Sequence, residues 1–223
     1  MKKLALVAAL ALTSNAHALT ITDSFSNAEQ TTEISQSGLL DYFDSNLGIL
    51  DSVQLFLEGA MTTTITLTNN AVQTQVTKGT GTVDLFFTGV PALSVPVPAV
   101  SLSATTGFVS LNAGETQSYG PLTNTGFWDS GVQTGAGILS AFSLAGGGTF
   151  SVGCSSLSGI TITGGGGNIG SDQATTAGCS ARVEYVYHDA PPPPPPSVPE
   201  PATLGLLGLG LLGLGFARRR KAA

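Results

Sequence analysis

Charge, histidine and cysteine are what this 223-residue chain has least of. Only 10% of its residues are charged, and it holds two histidines, two cysteines and one tryptophan. His17 lies in an apolar leader, so His188 is the one histidine left for the body of the chain, which excludes a multi-histidine zinc site. A Ser-His-Asp triad or a cysteine nucleophile would have to use His188, beside Asp189 at the start of a proline run, where a base is poorly fixed. Basic side chains are equally scarce. Of eight lysines and arginines, Lys2 and Lys3 sit in the leader and Arg218, Arg219, Arg220 and Lys221 in the tail. That leaves Lys78 and Arg182 against thirteen acids between residues 19 and 190, a formal charge near −11 that repels a phosphate backbone and excludes nucleic acid as a partner. The glycine run 164–170 lacks the Gly-Lys-Ser/Thr of a phosphate loop and reads as a plain loop. No fixed-period repeat is present, which argues against a solenoid or propeller. Nothing in the composition calls for a cofactor.

Apolar residues, by contrast, make up 42% of the chain and are concentrated at its ends. Met1-Lys2-Lys3 is a basic start, Leu4 to Leu12 an apolar run, and Ala16-His17-Ala18 a small-x-small site. The three in order predict a signal peptide over 1–18, cut by signal peptidase after Ala16 and Ala18 and before Leu19. At the other end, Pro191 to Pro196 predict a stiff polyproline II spacer over 191–197. Val198-Pro199-Glu200-Pro201 follows, then an apolar segment, 202–217, and a basic cluster, 218–221. As a helix the apolar segment would be about 24 Å long, slightly short of a hydrocarbon core. The basic cluster would stay cytoplasmic and leave the spacer outside. Both ends therefore put 19–190 on the exported side of the inner membrane.

The order Pro-Glu-Pro, short Gly/Leu span, terminal Arg cluster resembles the PEP-CTERM sorting signal of Gram-negative bacteria, over 198–223. The resemblance implies recognition of Val198, Pro199, Glu200, Pro201, Arg218, Arg219 and Arg220 by an exosortase, an integral-membrane processing enzyme. It also implies transient anchoring in the inner membrane, then transfer to the envelope surface or extracellular matrix, in association with exopolysaccharide or biofilm.

Between the ends, Thr, Ser, Gly and Val alternate among frequent turn residues, the pattern of short strands. The expected fold class is all-β, a single jelly-roll-like β-sandwich over 19–190, flanked by the signal peptide and the transmembrane sorting helix. Thr20-Ile21-Thr22 starts an edge strand. Ser52–Leu57 and Thr62–Thr68 are expected to meet at a hairpin or bulge at Gly59-Ala60, and Val72–Thr77 and Thr82–Thr88 around 78–81. Prolines 91, 96 and 98 make 91–98 an edge or loop. Phe108–Leu111, Gln117–Tyr119, Ile138–Leu144, Thr149–Val152, Ile160–Thr163 and Arg182–Tyr187 continue the strands. Thr62, Thr64, Thr66 and Thr68 share one face, suited to the wet side of a sheet. Within Leu39–Asn69, Phe43-Asp44 and Leu47-Gly48 ahead of an alternating strand resemble the choice-of-anchor E family, bacterial surface domains with interchangeable C-terminal anchors and no assigned activity.

Few groups remain to carry chemistry. Cys154 and Cys179 are expected to form a disulfide, as export favours oxidation. Asp41, Asp44 and Asp51 fall close together near expected turns, where hard oxygen ligands suit Ca²⁺, but no D-x-[DN]-x-[DN]-G loop is present and solvated surface charge is the better account of them. Trp128, with Tyr119 nearby, is either a core residue or a platform for a sugar ring. The domain is accordingly expected to be a structural or adhesion-type protein of the envelope or matrix and not an enzyme. The alternative is a secreted carbohydrate-binding or carbohydrate-active protein, for which Trp128 would be exposed or two carboxylates would face each other in a groove.

Overall fold

Period-two alternation makes strand of most of the exported segment. The computed structural model describes residues 18–190. In chain order the strands are β1 (Leu19–Ser26), β2 (Gln30–Thr31), β3 (Ser35–Asp41), β4 (Phe43–Asp44), β5 (Ile49–Asn69), β6 (Gln75–Thr88), β7 (Val100–Thr105), β8 (Val109–Leu111), β9 (Thr116–Asp129), β10 (Ser143–Leu144), β11 (Thr149–Gly164) and β12 (Ile169–His188). One short helix, α1 (Ala136–Ala141), lies between β9 and β10.

Eight of these strands form nested antiparallel couples: β1 with β12, β3 with β11, β5 with β9, and β6 with β7. A ribbon of nested couples, wound so that successive couples fall into opposite sheets, is a jelly roll. The winding adds β12 to β5 and β11 to β6. Sheet A then has the order β1-β12-β5-β9, and sheet B the order β3-β11-β6-β7. β2 extends β12, β8 extends β6, and β4 and β10 form a separate parallel pair. Across the sandwich β1 meets β3, β12 meets β11, β5 meets β6 and β9 meets β7. The fold is therefore the all-β, jelly-roll sandwich that the alternation predicts.

The odd-numbered residues of β5 point inward and are buried from Val53 to Asn69, while the even-numbered ones face out. Leu55, Leu57, Val83, Leu85, Leu102, Val152, Val183 and Tyr185 belong to the main core, and Ile65, Leu67 and Leu111 form a smaller second cluster. Thr63 and Thr175 are also buried, and their hydroxyls bond each other at 2.7 Å, so neither is left unpaired. Asn69 is fully buried and accounts for its whole amide. The two protons of its Nδ2 are shared among the carbonyls of Gln73, Leu111 and Asn112, at 2.8, 3.0 and 3.0 Å, and its Oδ1 accepts from Ala71 N–H at 2.9 Å.

Several expected breaks in the strands are absent, for one physical reason. Gly59 does not turn the chain; β5 runs straight through it, and a methyl there would overlap Leu85 of the opposite sheet. Its register partner on β9 is Gly126, where a Cβ would stand 2.9 Å from Leu102 Cδ1's sister carbon, Cδ2. The pair lets the sheets approach where those leucines enter. Gly79 likewise lies inside an unbroken β6, 2.9 Å in the same sense from Ile65 Cγ2. The irregularity in β5 falls instead between Thr63 and Ile65, opposite Gly120-Pro121. Thr149–Val152 and Ile160–Thr163 are parts of one strand, β11, and Gln117–Tyr119 is the start of β9. Ile138–Leu144 is mostly the end of α1, which lays Ile138 and Leu139 against the main core ahead of the fully buried Phe142. The segment 91–98 is a loop.

Cys154 on β11 and Cys179 on β12 form the expected disulfide and link sheet B to sheet A through the core. Between these strands the chain crosses at Gly164-Gly165-Gly166-Gly167, with φ of 89°, 68°, 57° and 83°. Four consecutive left-handed residues are tolerated only by glycine.

Candidate functional site

The leader 1–17 with Ala16, the spacer 191–197, the apolar segment 202–217 and the sorting residues Val198, Pro199, Glu200, Pro201, Arg218, Arg219 and Arg220 lie outside the described residues. Ala18 immediately precedes β1.

Asp41, Asp44 and Asp51 do not converge. Asp51 takes His188, whose Nδ1 lies 2.8 Å from both carboxylate oxygens. Asp44 Oδ1 accepts the N–H groups of Asn46 and Gly146 at 2.9 and 2.8 Å, holding two turns together. Asp41 lies with Asp44 and Asp23 along a cleft of about 380 Å³ beside Tyr185. Asp23 Oδ2 accepts Asp41 N–H at 2.7 Å, and Tyr185 donates its hydroxyl to the Asp41 carbonyl at 2.8 Å. Burial first, then the charges of Asp23 and Asp41, hold the Tyr185 hydroxyl well above the ordinary tyrosine range. Among the described residues no three Asp, Glu, His or Cys groups stand together as a metal site. Of these acids, Asp23 and Asp44 organise backbone.

Trp128 and Tyr119 both lie on the inward side of β9, opposite the buried Leu57 and Ile65. Each is half-buried, Trp128 against the main core and Tyr119 against the smaller cluster. Neither presents an open ring to solvent in the manner of a sugar platform. The open ring on this strand is Phe127, 66% exposed. Alternation offered the signal: a Trp128 that turns inward obliges Phe127 to turn outward.

Phe127 borders a cleft of about 400 Å³ on the outer face of sheet A. Two rows of cross-strand neighbours line it, and a third continues the sheet beyond it. Ser180, Glu58 and Phe127 stand side by side on β12, β5 and β9; Gly178, Ala60 and Thr125 form the next row, and Thr176, Thr62 and Thr123 the one after. In the second row Ala60 forms a low floor beside the first row, and Gly178 is buried under the segment that follows β1. Beyond the third row the outer face of β5 continues as Thr64, Thr66 and Thr68. Thr66 Oγ1 is 2.8 Å from Ser118 Oγ, and Thr68 Oγ1 is 3.0 Å from Thr116 Oγ1 on β9.

The segment after β1 closes one end of the trough and is fixed at several points. Asn27 N–H donates to the Cys179 carbonyl at 3.0 Å. The buried Gln36 donates Nε2 to the Ala28 carbonyl at 2.8 Å and accepts Cys179 N–H at 3.0 Å. Thr176 donates its hydroxyl to Glu29 Oε2 at 2.6 Å. A Cβ on Gly178 would stand 2.9 Å from the Asn27 carbonyl oxygen, which is why that position is glycine. Arg182, two residues along β12 from Ser180, stacks on Phe56 with its guanidinium carbon 3.9 Å from the ring centroid and pairs with Glu184.

Fold and site together define a disulfide-linked jelly-roll domain with hydroxyl-rich outer strands. Residues 197–221 match the PEP-CTERM protein-sorting motif, which makes this an exported protein with a C-terminal membrane-anchoring signal processed by an exosortase. The match is confined to the tail and does not reach Leu39–Asn69. A comparison with curated proteins finds no match. Among solved structures, one of Desmodium yellow mottle tymovirus is similar at 8% identity, over 86% of this chain and 99% of that one, with a TM-score of 0.26. One of infectious bursal disease virus, Gx strain, is similar at 13% identity over 89% and 48%, with a TM-score of 0.17. The fold assignment rests on strand order and not on these likenesses.

Proposed function

We propose that the exported domain is a structural or adhesion-type component of the cell envelope surface or extracellular matrix of a Gram-negative bacterium, associated with exopolysaccharide or biofilm. Signal peptidase frees Leu19, the tail holds the protein in the inner membrane, and exosortase then passes it outward. The observation that carries the reading is the coupling of the sorting motif at 197–221 to a closed, disulfide-linked sandwich. A buried disulfide suits an oxidising exterior. Long outer strand faces with hydroxyls and few charges suit contact with hydrated, neutral material. The resemblance of Leu39–Asn69 to choice-of-anchor E domains supports a surface role.

The reading includes no enzymatic step. Asp23 and Asp44, which line the acidic cleft, each already accept backbone N–H groups, and His188 is held by Asp51. The second reading, a carbohydrate-binding protein, is favoured by one observation, the trough beside Phe127.

Intact mass of protein recovered from envelope and culture medium tests the proposal. A species starting at Leu19 and ending near Pro199-Glu200-Pro201 is expected outside the cell. Neutral residues in place of Arg218, Arg219, Arg220 and Lys221 should leave an uncut chain ending at Ala223 in the membrane fraction. Normal processing of that variant, or wild type confined to the membrane with its tail intact, would overturn the sorting route.

A further inference from the structure

We propose that the trough across β12, β5 and β9 is a binding site for a neutral polysaccharide, taking one or two hexose units against Phe127. The inference rests on the matrix reading only for the source of the ligand; the site is argued from its own geometry.

The lining rows at Glu58 and Ala60 lie two residues apart along β5, about 7 Å, and three strands span about 10 Å across. The cleft's volume of about 400 Å³ lies within the usual range of small-molecule sites. Its parts match what a sugar ring offers. Phe127 presents an aromatic face to the C–H face of a pyranose. The Glu58 carboxylate accepts hydroxyl protons, and it is steadied by Ser180, whose hydroxyl donates to Glu58 Oε2 at 3.3 Å. Ser26 and Thr125 add hydroxyls that both donate and accept. The small Ala60 lets a flat ring approach the sheet, and the fixed segment 27–29, which covers Gly178, sets one end before any ligand arrives.

Charge selects among polysaccharides. Residues 19–190 carry thirteen acids against two bases, Glu58 stands in the trough wall, and Arg182 is already engaged by Glu184 and Phe56. A polyanion such as alginate meets repulsion, and among the described residues no Lys or Arg lines the trough to offset it.

Affinity electrophoresis of the exported protein as recovered from cells tests this. The probes are dextran, mixed-linkage β-glucan, galactomannan, the neutral polysaccharide extracted from the producing cells' own matrix, and alginate. At least one neutral probe should retard wild type, and alginate should not. Phe127→Ala removes the platform and Ala60→Val raises the floor, and each should weaken retardation by about tenfold or more. Phe108→Ala, which removes an equally exposed ring elsewhere, should leave it unchanged. Unchanged Trp128 emission and melting temperature in both trough variants show that the fold is intact. Absence of retardation by every neutral probe, undiminished binding of Phe127→Ala, or preference for alginate would overturn the site. Protein found in the matrix that binds none of the probes would overturn the trough alone. Protein that binds but stays in the membrane would overturn the matrix reading alone.

Discussion

Breaking the Cys154–Cys179 bond should cost the domain roughly a third of the stability an ordinary domain possesses. The bond closes a loop with a sequence separation of 25 residues. In the chain-entropy model such a loop removes about 3.5 kcal/mol from the unfolded ensemble, against about 5–15 kcal/mol for a whole domain. For a domain of this size each kcal/mol moves the melting temperature by about 2–4 °C, so Cys154→Ala with Cys179→Ala should melt roughly 10 °C lower. Both sulfurs are buried, so each truncation adds a smaller packing loss. The two sources separate in a double-mutant comparison. Either single variant already loses the whole closure term, so the double variant should add only the second packing loss, far from the sum of the singles. Denaturant unfolding should also steepen, because an uncrosslinked chain exposes more surface. The assay is thermal and urea unfolding followed by circular dichroism. A melting shift below about 3 °C, strictly additive singles, or two titratable thiols in unreduced protein would refute the reasoning.

Two further perturbations probe the packing. Gly59→Val should destabilise the domain by about 1–3 kcal/mol, because its side chain would have to displace Leu85 across the sandwich; a melting temperature equal to wild type would show that the sheets can part without cost. Tyr185→Phe should lose about 1–2 kcal/mol at neutral pH with its hydrogen bond to the Asp41 carbonyl. The same variant tests pH dependence. The folded Tyr185 pKa is raised, so the stability the neutral hydroxyl confers is complete below the unfolded tyrosine value near 10 and is lost as pH rises above it. Wild-type melting temperature should therefore fall above about pH 10, and the fall should be shallower in Tyr185→Phe. Equal slopes would remove Tyr185 from the alkaline transition.

The sandwich was legible because alternation reports burial directly. Val183, Tyr185 and Tyr187 share a face in the sequence and share it in the fold, since a strand has only two faces. Strand lengths were not legible at glycine. Locally, a glycine between two alternating runs reads as a turn, because the flexibility that permits a turn is an intrinsic property of the residue. Gly59 and Gly79 are instead required by what faces them. Leu85 and Ile65 approach from β6 and β5, far away in sequence, and leave no room for a Cβ. The helix at Ala136–Ala141 failed for another reason. Six residues hold less than two turns, too few for the period of 3.6 to stand out against a short apolar run.

The trough lay beyond any reading of the chain as a line. Glu58 and Ala60 are close in sequence, but the walls and floor need Gly178 and Ser180 from β12 and Thr125 and Phe127 from β9, in register with them. Register is set by the whole winding of the ribbon, and a slip of one residue would turn Phe127 into the core and Trp128 out to solvent. This explains why choosing Trp128 as the aromatic of interest selected the right strand and the wrong face. Rarity and size drew attention to the tryptophan, and the same size makes it the better core residue opposite Leu57. The smaller ring one position earlier is left outward, where a wall of Glu58 and Ser180 meets the low floor at Ala60. Function at this site would then follow from parity along β9, which ties its testing to the fold: a substitution that shifts the β5–β9 register must abolish binding even if every trough residue is retained.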